Sequence, residues 1–292
     1  MTERTGWSRW LKRRLIAVAV GLAVYFVVMF PLGCGRALAD RLLLFGSTRP
    51  MAAAGATPAT IPSDAGELEV FVATSASAIG RPPERYVLRL MGNASRAEVE
   101  ATPTAQRWND VPTEVWALNY PGFGASPGPQ SLRKLLPAAE AVWEAMNTQA
   151  VDAPCYVDGD SMGTAVALAL ATKRRGDLPV AGLILKNPPP LRQLIMGRYG
   201  WWNLWLAAWP LASSVPSELD SITNAAQCHT PAIFLQATGD SLIPPAYQNQ
   251  IIDAYAGRAV VIELVDADHN TLPTMEEEQA IRDRIAEHFR EP

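Results

Sequence analysis

Gly159-Asp160-Ser161-Met162-Gly163 sets a serine between two glycines, each two positions away. The apolar run "PCYV" precedes it and "TAVALALATK" follows. An apolar strand, a tight turn and an apolar helix form the context in which a serine hydroxyl is lifted clear of a sheet edge. A chain that turns so sharply tolerates no bulk two positions away, which Gly159 and Gly163 satisfy. The Met162 N–H and the start of the helix then point at the place where negative charge would gather beside the hydroxyl. A serine hydroxyl attacks a carbonyl only when a base takes its proton. Three histidines can be that base: His229, His269 and His288. His229 precedes a strand and falls at the wrong end of a parallel sheet. His288 shares a helix face with Ile281 and Ile285. His269 lies in "DADHNT", directly after the strand-like "VVIELV". The acid that would orient it is Asp240, at the end of "AIFLQATGD"; Asp266 and Asp268 are too near in sequence to reach round the ring. Ser161, Asp240 and His269 are thus the expected nucleophile, orienting acid and general base. "LRLMGNAS" ends an earlier strand at Gly92-Asn93, so the Asn93 backbone N–H is expected to join that of Met162 in an oxyanion hole.

Gly-Asp-Ser occurs a second time, at Gly239-Asp240-Ser241, and Leu242 completes the four letters of the GDSL hydrolase signature. Asp266 to His269 even supplies a D-x-x-H. In that family, however, the serine follows the first strand, with glycine and asparagine blocks before the histidine. Ser241 comes late and leaves no room for them. Asp240, not Ser241, is the useful residue of this copy.

The elements that must hold these residues alternate. "ELEVFVAT", "ERYVLRLMGN" ending at a glycine, "TEVWALNYPGFG" ending at a turn, "PCYVDG", "VAGLILKN", "TPAIFLQATG" and "AVVIELVDA" read as strands. "SLRKLLPAAEAVWEAM", "SMGTAVALALATKR", "PAYQNQIIDAYAG" and "TMEEEQAIRDRIAEHF" read as helices, with Pro137 expected to start or kink the first and Thr274/Glu277 at capping-box spacing in the last. Such alternation implies an α/β fold with a doubly wound, mostly parallel sheet, whose ligands bind at the C-terminal strand ends. About 188–228 interrupts the pattern and is expected to form an inserted helical cap. It holds Trp201, Trp202, Trp205 and Trp209; in a helix, Trp201, Trp205 and Trp209 would share one face, either lining an acyl pocket or packing on the domain.

The 292 residues carry a net charge of −4 and no basic stripe in the globular part, which argues against a nucleic-acid partner. Three cysteines, without C-x-x-C spacing, suggest neither a disulfide framework nor a metal site, and no phosphate or dinucleotide loop is present, so no cofactor is implied. Arg4, Arg9, Lys12, Arg13 and Arg14 precede an uncharged run at residues 15–34. Its length predicts one N-terminal transmembrane helix, a signal anchor with a cytoplasmic N-terminus and an exported catalytic domain. Cleavage after Ala37-Leu38-Ala39 and lipidation at Cys34 are the alternatives. The expected organisation is therefore 1–35 N-terminus and anchor, 36–66 connector with a Pro-rich linker near 50–66, and 67–292 the α/β domain.

The motifs "ADRLLLF", "LMGNAS", "LNYPGFGASPG", "GDSMG", "GDSLIP" and "DADHN" together resemble, in order, the α/β-hydrolase superfamily, and within it the membrane-anchored abhydrolase-domain and serine-aminopeptidase-like serine hydrolases. The resemblance spans about residues 36–292. It implies a membrane-tethered serine hydrolase, carboxylesterase- or lipase-like, that cleaves an ester, thioester or amide of a small-molecule or lipid-like acyl substrate. An acyltransferase with the same nucleophile and a catalytically silent interaction domain are the alternatives. Family members usually carry a histidine where this chain has Met91. Tyr120, in the turn beside the site, is a candidate for substrate contact under this resemblance.

Overall fold

The computed structural model describes residues 4–29, 34–93, 95–174, 178–199 and 205–289. Eight strands form one sheet in the order β1-β2-β4-β3-β5-β6-β7-β8. They are β1 (Thr57–Ser63), β2 (Gly66–Thr74), β3 (Arg85–Leu90), β4 (Thr113–Leu118), β5 (Cys155–Asp160), β6 (Gly182–Lys186), β7 (Ala232–Ala237) and β8 (Ala259–Leu264). From β4 to β8 every pairing is parallel; β1 and β2 join antiparallel at one edge. The central strands β3, β6 and β7 are buried along their whole length. That is why β6 and β7 read as nearly continuous apolar runs, while the two arginines of β3, Arg85 and Arg89, are paired with acids.

The chain leaves β3 toward β4 on one side and returns to place β5 on the other. The crevice at such a reversal is where open α/β sheets bind ligands. Gly92 follows β3 and Ser161 follows β5, so the two loops face each other there. Three helices build the walls around them: α3 (Ala97–Arg107), α4 (Leu132–Ala150) and α5 (Met162–Lys173). Residues 162–171 of α5 are all buried, as expected of a helix covered by other elements. Trp108 and Trp143 are completely buried in the core, and each such side chain contributes up to about 3 kcal/mol by leaving water.

Three expectations are corrected. Pro137 sits inside α4, which begins at Leu132, so of the two effects expected of it, starting the helix is ruled out. The stretch expected to be a linker forms β1: Ile61 turns inward, and Pro58 and Pro62 are tolerated because β1 is an edge strand. The connector is likewise part of the body. It folds as α2 (Cys34–Leu43), and Asp40 Oδ1 accepts the Leu132 N–H at 2.8 Å.

The third correction concerns the membrane helix. α1 (Arg4–Met29) is helical, but Lys12, Arg13 and Arg14 lie within it. Its uncharged part among the described residues, Leu15–Met29, spans about 22 Å at 1.5 Å per residue, short of a bilayer core of about 30 Å. No helix among the described residues is long and apolar enough to cross a membrane. Residues 30–33, which completed the expected run, lie outside the described residues.

The remaining helices are α6 (Leu191–Tyr199), α7 (Trp205–Ser214), α8 (Ser221–Ala225), α9 (Pro245–Ile252) and α10 (Met275–His288). α6, α7 and α8 lie in the chain between β6 and β7, in the stretch expected to be inserted. α10 opens with the reciprocal Thr274–Glu277 capping box.

Candidate active site

Ser161 adopts φ 49°, ψ −120° between the last residue of β5 and the first of α5. A non-glycine residue there is strained, and the neighbours that enforce it are visible. A Cβ on Gly163 would meet the Leu90 carbonyl oxygen at 2.1 Å, and one on Gly159 would meet the Gly163 carbonyl oxygen at 2.9 Å. Both positions therefore exclude any side chain. A Cβ on Gly92 would come within 3.2 Å of the Ser161 Cβ, so the β3 loop also passes close to the serine.

The Ser161 Oγ lies 3.1 Å from His269 Nε2, and His269 Nδ1 lies 2.7 Å from Asp240 Oδ2. All three side chains are nearly buried. The three groups come from the C-terminal ends of β5, β7 and β8, as their sequence order required. Asp240 is held firmly: its Oδ1 accepts the N–H groups of Leu242 at 2.9 Å and Ile243 at 2.7 Å, and Gln248 Nε2 donates to Oδ2 at 3.2 Å. A carboxylate held by so many donors stays in place when the imidazole turns or charges. Such a chain can pass the serine proton to His269 and stabilise the resulting cation at Asp240.

Asn187 had not been singled out as a site residue. Fully buried, it donates from Nδ2 to the His269 carbonyl at 3.2 Å, while its Oδ1 accepts the Ala237 N–H at 2.9 Å. One amide thus fastens the histidine loop to the strand that carries Asp240. Its only signal in the sequence is a polar residue directly after β6.

Met162 opens α5, where the first N–H groups of a helix have no intrahelical acceptor. The Asn93 side chain does not face the serine. It takes the Phe45 N–H at 2.7 Å and gives to the Leu43 carbonyl at 2.6 Å, pinning the segment after α2. Met91 is buried in the core. Tyr120 is completely buried, edge-on to Phe123, so the substrate contact considered for it is closed off by packing. Trp201 and Trp202 lie outside the described residues. α7 begins at Trp205, and Trp209 on it is 46% exposed. Ser241 is likewise remote in role: its hydroxyl donates to Asp268 at 3.0 Å. Asp268 also accepts the Ser241 and His269 N–H groups at 2.8 Å, and these bonds hold its carboxyl below the usual range.

Two cavities meet at Ser161 and His269. One, about 310 Å³, is lined by apolar groups that include Leu43, Phe45, Leu191, Leu194, Ile195 and Ile243. The other, about 530 Å³, is lined by charged ones: Arg89, Glu100, Arg107, Asp160, Lys186 and Glu278. Behind the second, Arg89 is bonded to buried Asp158 at 2.5 Å and to Glu100 at 2.9 Å. Burial opposes the Arg89 charge, but Asp158, Glu100 and Asp160 outweigh it. Burial likewise raises Glu100, and the Arg89 charge and the bonds from Arg89 and Ser95 more than reverse it, leaving the carboxyl lowered. No cluster of metal-ligating side chains occurs among the described residues.

Residues 81–218 match the family model described as serine aminopeptidase, S33. Est1E from Butyrivibrio proteoclasticus, solved with ferulic acid bound, superposes with a TM-score of 0.64 at 14% identity, over 79% of this chain and 98% of that one. An esterase of Pyrococcus furiosus gives 0.62 at 13%, over 85% and 97%. An alpha-beta hydrolase of Vibrio vulnificus gives 0.61 at 19%, over 88% and 92%. No curated protein matches the chain by sequence. Sheet order and elbow are those of the α/β-hydrolase fold, and the family model over residues 81–218 supports a place in that superfamily. Within it, the match supports a hydrolase of the serine type.

Proposed function

We propose that the protein is a serine esterase that works through an acyl-enzyme. The observation that carries this reading is the bonded series Ser161 Oγ, His269 Nε2, His269 Nδ1 and Asp240 Oδ2 at the junction of an apolar and a polar cavity. Ser161 Oγ bonds to the substrate carbonyl carbon while His269 takes its proton. The Met162 and Asn93 N–H groups face the oxygen that becomes negative. The bond to the leaving group then breaks, and the leaving atom takes the proton from His269. Water repeats the sequence and frees the acid. The apolar cavity suits the acyl chain, and the leaving group extends into the polar one. Esters come before thioesters and amides because the structures it superposes on include an esterase, at a similarity that speaks for the fold.

A fluorophosphonate probe should label the wild-type protein and the Ser241→Ala variant, and fail to label Ser161→Ala. Labelling that survives in Ser161→Ala would remove Ser161 as nucleophile.

We also infer that α1 tethers the chain to a membrane. Leu15, Ile16, Val18, Val20 and Val24 on it are each more than half exposed, and the cations Lys12, Arg13 and Arg14 stand beside them. An apolar helix with a basic end suits an anionic lipid surface.

A further inference from the structure

The acids facing the polar cavity have little left to accept with. Glu278 has both oxygens taken by Arg107, at 2.5 and 3.1 Å. Glu100 has one taken by Arg89 and the other by Ser95, each at 2.9 Å. Asp158, behind them, has one taken by Arg89 and the other by the Trp108 indole at 3.1 Å. Asp160 is the exception, and its Oδ2 lies between two cations, 3.5 Å from Arg89 and 3.8 Å from Lys186.

The donors are in the opposite state. Lys186 ends β6 directly beside Asp160 on β5, and its own carbonyl accepts the Ser161 N–H at 2.8 Å. It is therefore one strand away from the nucleophile. Its side chain is 9% exposed and reaches the cavity. Among the described residues its ammonium makes no hydrogen bond and has only the 3.8 Å approach to Asp160. An ammonium so far withdrawn from water ordinarily secures close acceptors. Arg282, on the cavity's outer wall, bonds through Nε and Nη2 to Gln279 and has no acid within ion-pair reach among the described residues. Asp160 apart, the charged groups of this cavity that keep free hydrogen-bonding capacity are thus the cations Lys186 and Arg282.

We propose that the polar cavity binds a leaving group bearing an anionic oxygen group, a carboxylate or a phosphate, held by Lys186 and reached from outside by Arg282. The substrate class is then an ester with an apolar acyl part and an acidic alcohol part. This rests on the esterase reading of Ser161 and narrows it. A planar or tetrahedral oxyanion supplies the acceptors that the Lys186 ammonium lacks. Charge-assisted bonds of this kind favour the anionic ligand by about tenfold or more over a neutral one of the same shape.

Three butyrate esters test it, those of 3-hydroxybenzoate, 3-hydroxybenzamide and 3-hydroxyphenyl-trimethylammonium. The readout is the ratio of kcat/KM within one protein, so that a general loss of activity in a variant cancels. The anionic ester should exceed the neutral one by about tenfold and the cationic one by more. Lys186→Gln should bring the anionic-to-neutral ratio close to one, and Arg282→Gln, at an outer site, should lower it severalfold. Equal turnover of the three esters by the wild-type protein would overturn the proposal, as would ratios unchanged in both variants. Titration calorimetry of Ser161→Ala with 3-hydroxybenzoate separates it from the esterase reading. Binding of the benzoate but not the benzamide, lost on adding Lys186→Gln, supports the site even if no ester is cleaved. Cleavage of esters without anion binding leaves the esterase and removes the site.

Discussion

Besides the imidazole, the Asp240 carboxylate is held by uncharged donors: two backbone N–H groups on Oδ1 and the Gln248 amide on Oδ2. The bonds to His269 Nδ1 and from Gln248 Nε2 depend on which atom occupies the Oδ2 position; the two on Oδ1 do not. Asp240→Asn should therefore fold with a Tm near that of wild type. An amide nitrogen facing Nδ1 would select the tautomer that cannot accept the serine proton. By analogy with the same change in a serine protease, kcat should fall about 10⁴-fold. Steady-state hydrolysis of p-nitrophenyl butyrate checks this, and a loss below about tenfold would mean that Asp240 does not orient His269. Ser161, Asp240 and His269 could be read from the sequence because each stands directly after an apolar strand and only one histidine does so. Asn187, Gln248 and Lys186 could not. Their roles depend on which strands lie side by side, and strand order is not written in local pattern. Lys186 matters because β6 pairs with β5 in a register that sets it against Asp160.

Among the elements, α6 and the segment after α2 both line the apolar cavity, the first with Leu194 and the second with Phe45. Leu194 is half-buried and lines the cavity, so a larger side chain there shortens the space available to an acyl chain. Leu194→Trp should leave p-nitrophenyl acetate hydrolysis within about twofold and lower that of the octanoate, at about 0.8 kcal/mol for each methylene left unburied. The quantity to follow is the octanoate-to-acetate ratio of kcat/KM. A ratio that does not move would place the acyl chain elsewhere. Strand and helix alternation was legible from residue 67 on because buried parallel strands are short apolar runs between helical repeats. β1 was not legible, since an edge strand with two prolines carries a linker's composition. α3, with Pro103 inside it and no continuous apolar stripe, escaped for a similar reason.

For the whole molecule, α1 is the part whose apolar surface the body leaves uncovered. Full-length protein should float with liposomes containing anionic lipid, and a chain beginning at Cys34 should stay at the bottom of the gradient. Replacing Lys12, Arg13 and Arg14 with Gln should weaken the association by about 1 kcal/mol per charge and remove most of its salt dependence. Flotation of the shortened chain equal to that of the full one would show that α1 is not the tether.

α2 packs against α7, and Leu42 and Leu43 at its end help line the apolar cavity. Ala39 lies inside that helix and is buried. On the proposed reading of α1 as the tether, tether and pocket wall lie four residues apart in the chain, and this limits how the body could be shed. A protease that cut after Ala39 would carry off Cys34–Ala39, more than half of α2, and release a hydrolase with its apolar cavity open on one side. A soluble form that keeps its substrate preference has to be cut before Cys34.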